Sequence, residues 1–206
     1  MMRLASMATL GLFFTANVLS AQSTDTSEKP SPFGLHMGMP KDQIGEVVKE
    51  VSTFKYQLGS VSEPHQDLET YVVTVTPNAG LCFIRALAPT MRVSSDGTEL
   101  KSAFEDLKLQ IEAIYGKPYV ADSLKEGSTL DRPRDWMRAL FEQERTLLAR
   151  WSAPDDNLPM KPTIRKVYVA AFAESRSSGY VVVEFYFDNY DQCQEEINDA
   201  VKRSFQ

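Results

Sequence analysis

The chain has 206 residues and carries 28 acidic against 22 basic side chains, a net charge of −6. Its Lys and Arg residues are scattered, and nucleic-acid binding needs them clustered to neutralise phosphates, so a nucleic-acid partner is not expected. With 43% hydrophobic residues and two cysteines, it can build one substantial core or two small ones, held by at most one disulfide.

Arg3 is the only charge before Asp25. The uncharged run after it (Leu4, Leu10, Leu12, Phe13, Phe14, Leu19) ends in the small residues Ser20 and Ala21. A basic tip, an apolar middle and a small-residue exit predict a secretory signal peptide over residues 1–21, cut after Ser20 or Ala21. The competing reading, an uncleaved membrane anchor, is weakened by Ser6, Thr9, Gly11, Thr15 and Asn17, which dilute the run. Gln22 stands where a lipoprotein would carry its acylated cysteine. A soluble periplasmic or secreted protein follows, with no stable membrane insertion after cleavage and, with Arg3 removed, a charge of −7. Residues 22–32 contain no large apolar side chain and predict a flexible leader.

Pro40 can open a helix, and Ile44, Val47, Val48 and Val51 recur at helical spacing, which predicts a short amphipathic helix. Lys55 to Leu58 can add a short strand. Tyr71, Val73 and Val75 alternate with Thr70, Val72, Thr74 and Thr76, and the turn Pro77-Asn78-Ala79-Gly80 leads into a second strand over residues 81–87, a hairpin. Residues 98–115 predict a helix with Asp96 and Glu99 as a capping box. Leu100, Phe104, Leu107, Ile111 and Ile114 mark its inner face, and Gly116 and Pro118 stop it. A second helix is expected from about Pro133 to Glu142, with Trp136, Met137, Leu140 and Phe141 inward. Strands over 146–151, 164–174 and 179–188 follow, separated by a Pro-rich loop over 152–162 that contains Asp155-Asp156. Asn189 or Asp188 then caps a last helix with Cys193, Ile197, Ala200 and Val201 on one side.

This order predicts an α+β fold: antiparallel sheet, in one layer or two, covered by helices. It also suggests two tandem α-β-β(-β) units, the first over 33–90 and the second over 91–206 with the C-terminal helix. The stretch Phe33-Gly34-Leu35-His36-Met37-Gly38-Met39-Pro40-Lys41-Asp42-Gln43-Ile44 resembles the opening of the SmpA/OmlA family of small envelope domains. In that family a Gly-Met step leads into a helix ending in a Gly-x-Pro turn. Here Gly116-Lys117-Pro118 supplies such a turn only after the later helix, and the family's lipid-bearing cysteine is missing. The resemblance implies a two-layer α+β fold in the cell envelope and transfers no binding residue.

In an oxidising compartment Cys82 and Cys193 read first as one disulfide, tying the first unit to the last helix; the alternative is two separate buried thiols. His65-Gln66-Asp67-Leu68-Glu69 could group ligands, but Pro64 and polar neighbours favour a loop, and no metal is expected. No Gly-x-Ser-x-Gly elbow, Cys-x-x-Cys pair or phosphate loop is present, so no catalytic residue is assigned and no cofactor is expected. Trp136 and Trp151 sit at core spacing. On the C-terminal hairpin Val181, Val183, Phe185 and Phe187 form a core face. The opposite face carries Tyr168, Phe172, Tyr180, Glu184 and Tyr186, a mixture that suits recognition, unless it packs under a helix or the other unit. The leading expectation is an exported, non-enzymatic envelope protein that binds a protein or surface component. The alternatives are an exported inhibitor of a toxin or hydrolase and a small hydrolase using distant carboxylates.

Overall fold

The computed structural model describes residues 31–153 and 160–205. The segment expected to be a signal peptide, nearly all of the expected leader and Asp155-Asp156 lie outside the described residues.

Alternating β-branched and aromatic residues form two antiparallel meanders. In the first, β1 (Val47–Ser52), β2 (Lys55–Leu58), β3 (Thr70–Thr76) and β4 (Gly80–Leu87) follow one another. The second consists of β6 (Tyr119–Leu124), β7 (Arg145–Ser152), β8 (Ile164–Ser175) and β9 (Ser178–Phe187). A two-residue strand, β5 (Met91–Arg92), pairs with the start of β9. Strands β4 and β9 pair antiparallel, so the order is β1-β2-β3-β4-β9-β8-β7-β6. The sheet is one continuous layer, and the fold is α+β.

Helices α1 (Thr98–Tyr115) and α2 (Trp136–Phe141) cover one face, here called the inner face. Leu100, Phe104 and Leu107 of α1 are buried, as the helical spacing requires, but Ile114 is 61% exposed. The capping device of α1 differs from a simple box. Gly97 is the N-cap, Asp96 accepts the Thr98 N–H at 3.2 Å, and Glu99 reaches back to the Ser94 N–H at 2.8 Å. Trp136 packs against Gly97, with the Lys101 Nζ 4.4 Å above its ring. Trp136 and Trp151 are both buried, in structural roles. Helix α3 (Tyr190–Arg203) lies on the opposite, outer face, against β3 and β4.

The helix expected after Pro40 does not form. Residues 41–44 are turn and bend, and Gly45 takes a left-handed φ of 97° before β1 begins. The Gly59 N–H donates to the Glu46 carbonyl at 3.0 Å, drawing the segment into strand pairing instead. The spacing of Ile44, Val47, Val48 and Val51 imitates a helix, yet three of the four are β-branched valines that suit extended backbone. Ile44 is buried in the core and Val47 packs half-buried against it, while Val48 and Val51 lie exposed on the edge strand. Residues 33–90 therefore carry strands and no α-helix. Strand β6 is the converse, an edge strand that the sequence pattern did not announce.

The segment before β1 closes the inner core. Phe33 sets its ring edge-on to Tyr71 at 5.0 Å and Phe185 at 5.7 Å. The Gly38 N–H donates to the Leu81 carbonyl, and the Leu81 N–H to the Met39 carbonyl, both at 2.8 Å. These bonds bring the backbones of Gly38 and Gly80 into contact. Gly80 has φ +67°, and a Cβ there would run into the Gly38 carbonyl. Gly80→Ala therefore combines an unfavourable backbone region with a backbone clash, and it should cost about 3 kcal/mol or more in denaturant unfolding. Gly116→Ala meets no neighbouring atom; it should show only the conformational part, a smaller loss.

Candidate binding face and its helix clamp

The outer face is organised by one irregularity. Thr74 pairs with Phe83 but Val75 pairs with Leu81, so Cys82 has no partner on β3 and forms a bulge. Leu81 and Ile84 join the inner core, whereas the consecutive residues Cys82 and Phe83 both join a small cluster under α3. Cys82 forms a disulfide with Cys193 across 111 residues of sequence, with a Cα–Cα distance of 6.5 Å. Closing a loop of that length contributes about 4–5 kcal/mol on the chain-entropy account.

Hydrogen bonds complete the clamp. Glu196, one turn beyond Cys193, accepts the backbone N–H groups of Asn78 at 3.0 Å and Ala79 at 2.9 Å. It also accepts the Thr76 hydroxyl at 3.0 Å and the Asn78 side-chain amide at 3.1 Å. Burial pushes the Glu196 carboxyl pKa up, but these donors outweigh it, and the net shift is downward. Asn189, the N-cap of α3, makes no side-chain bond to its own helix. Its amide donates instead to the carbonyls of Ala79 at 2.8 Å and Leu81 at 3.1 Å, fastening the helix start to β4.

Beyond the clamp lies an aromatic patch. The Tyr186 ring meets Phe83 at 4.8 Å, Tyr190 at 4.8 Å and Tyr168 at 5.6 Å, all edge-on. Its hydroxyl donates to Glu184 at 2.9 Å, and Glu184 also takes the Arg85 Nε at 2.7 Å. Burial, then the neighbouring Glu184 charge, pushes the Tyr186 hydroxyl pKa well up; the same two causes raise that of Tyr190. Both phenols stay neutral donors. Further along the β8–β9 hairpin, Phe172 stacks on Tyr180 at 5.8 Å, with Phe172 43% exposed.

Tyr168, Phe172, Tyr180, Glu184 and Tyr186 thus share one face, as their alternation in sequence requires. Among the described residues the body of α3 lies on the β3–β4 end, its first residues Tyr190 and Asp191 reach Tyr186 of β9 and Arg165 of β8, and Tyr168, Tyr180 and Tyr186 are half-buried. Phe83, Arg85 and Tyr190 belong to the same patch and were not singled out from the sequence. Arg85 carried the available signal, a lone charge in an otherwise apolar strand. Tyr190 lies three residues before Cys193, on the same side of α3.

The remaining chemical candidates have structural partners. His65 donates its Nε2–H to Gln110 at 2.9 Å, while its Nδ1 accepts the Asp67 N–H at 3.2 Å, so it pins a loop to α1. Among the described residues no group of three His, Cys, Asp or Glu side chains is placed to hold a metal ion. Carboxylates with lowered pKa values are engaged locally: Asp96 and Glu99 with Ser94, and Glu142 with Arg138. No described helix is long and apolar enough to cross a membrane. No family model, curated protein or solved structure matches the chain.

Two measurements check the clamp. Native protein should resist thiol alkylation, with intact mass showing both cysteines blocked, and Cys193→Ser should lower unfolding stability by about 2–5 kcal/mol. Glu196→Gln should lose about 1 kcal/mol at neutral pH, since a carboxylate that accepts several donors is replaced by an amide that must aim hydrogens at some of them. Because the folded pKa lies below the unfolded one, the unfolded chain binds more protons in the window between them. The Glu196 contribution is then complete above about pH 5 and is lost as pH falls below about 4, so wild type and Glu196→Gln should converge in acid.

Proposed function

We propose that the protein is an exported, non-enzymatic binding module of the cell envelope, and that it holds a protein partner on the outer face of β8, β9 and β4. The observation that carries this reading is the aromatic band itself. Phe172 and Tyr180 at one end, and Tyr168, Tyr186 and Tyr190 at the other, flank the Arg85–Glu184 ion pair on a sheet face that α3 meets beyond β4 only through its first residues, Tyr190 and Asp191. Tyrosines and arginine are the side chains that concentrate binding energy at protein interfaces, because they bury large area while keeping a polar tip. The Cys82–Cys193 bridge suits an oxidising compartment, and the basic tip and apolar run of residues 1–21 support export.

The face is also preorganised. Ring-to-ring contacts and the Glu184 hydrogen bonds fix its side chains before a partner arrives, which reduces the entropy lost on binding.

The test is capture of partners from envelope extract on immobilised protein, followed by affinity measurement with the partner found. Phe172→Ser combined with Tyr168→Ser should weaken binding about 30-fold or more, as for hot-spot residues, with thermal unfolding nearly unchanged. If saturating capture finds no macromolecular partner while the purified protein turns over a substrate, the reading fails. A partner bound equally well by the double variant would instead move the site away from this face.

A further inference from the structure

On the opposite side of the sheet the inner core is incomplete. The apolar stripe of α1 runs on through Ile111 to Ile114 after the sheet has ceased to cover it, leaving a cavity of about 570 Å³. Its long wall is Leu107, Ile111 and Ile114, and its floor is Val183 and Phe185 of β9. Phe33 and Tyr115 flank it, each held against the Phe185 ring, at 5.7 and 6.3 Å. The volume is that of an ordinary small-molecule site, and the fixed rings make it preformed.

We propose that this groove binds one straight alkyl chain bearing an uncharged, hydrogen-bonding head. The wall residues follow one another at i, i+4 and i+7, so the apolar surface is a line about 10 Å long parallel to the helix axis. A line of aliphatic side chains fits an extended chain better than a flat ring.

The polar groups settle the head. Glu63, His65 and Gln110 are polar members of the lining, the last two bonded to each other, and among the described lining residues there is no Lys or Arg. A carboxylate or phosphate head would meet Glu63 without a compensating cation, an unpaired charge that recognition penalises. Both His65 nitrogens are engaged, and the Gln110 carbonyl already takes the His65 Nε2–H. Tyr115 contributes a neutral hydroxyl, its pKa pushed up to about 12 by burial. An alcohol or glyceride oxygen can exchange hydrogen bonds with the Tyr115 hydroxyl or the Glu63 carboxylate without bringing charge. This inference concerns the face opposite the proposed protein interface, so either can fail without the other.

Titration calorimetry of the purified chain with 1-hexanol, 1-octanol and 1-decanol tests it. Affinity should rise about fourfold per added methylene until the groove is filled, and decanol should bind at least about tenfold more tightly than decanoate at neutral pH. Ile114→Glu changes an exposed side chain, so folding should survive; it should weaken decanol about tenfold or more, while Phe172→Ser on the outer face leaves it unchanged. Absence of saturable alkanol binding, tighter binding of decanoate, or full binding by a folded Ile114→Glu variant would each overturn the proposal. So would saturation by an apolar peptide when decanol does not bind.

Discussion

The ladder between β4 and β9 is the seam on which the rest of the molecule depends. It pairs Phe83 with Tyr186 and continues to Leu87 with Val182, joining two meanders that are otherwise built from neighbours in sequence. Arg85 and Glu184, directly opposite each other on it, are 99 residues apart. A pairing this distant costs loop-closure entropy before any contact repays it. The disulfide shortens that search from the other direction, because Cys82 immediately precedes the ladder and Cys193 lies one turn into α3, soon after β9. Covalent link and hydrogen-bonded seam therefore hold the same join, beside the β8–β9 hairpin across which α1 packs.

The bulge at Cys82 explains why the seam also yields two differently equipped faces. Strict alternation would send Phe83 inward with Leu81 and leave Cys82 alone outside. One unpaired residue shifts the phase, so that Leu81 and Ile84 point into the inner core and Cys82 and Phe83 both point at α3. The bridge and the aromatic patch thereby share one small cluster. Glu196 and Asn189 tie the same corner by hydrogen bonds, which fixes Tyr190 over Tyr186 rather than leaving it at a frayed helix start.

Much of this was legible in the sequence wherever burial is one-sided. Strands β7, β8 and β9 and helix α1 announce themselves because each has a covered face and an open one, which imprints a period of 2 or 3.6. The five outer-face residues followed from the same logic, whereas the cysteine pair followed from an even count in an expected oxidising compartment. The failures lie where that condition lapses. In β1 neither face is deeply buried, so Val47, Val48 and Val51 kept a helix-like spacing that Gly45 and the pairing with β2 override. Strand β6 is an edge with Tyr119 and Val120 exposed, and it leaves almost no alternation to read. Ile114 was placed in the core because a helical stripe says which side a residue faces, not where its cover ends. The groove arises from that difference, and it needs Phe33 and the 63–68 loop, which no local pattern brings to α1.

The two candidate surfaces are therefore two sides of one strand. Val183 and Phe185 of β9 floor the groove, while Glu184 and Tyr186 between and beside them stand on the outer face. Side-chain changes on one side leave the other intact, because successive residues of a strand point in opposite directions. Register changes do the reverse. A one-residue slip of β9 against β4 would turn Tyr186 into the core and Phe185 out to solvent, emptying both surfaces together. The bulge, the Arg85–Glu184 pair and the disulfide all resist that slip, the first by phase, the second by charge placed opposite charge, the third by covalent reach. Register is thus the property this fold protects most heavily, and both proposed binding surfaces depend on it.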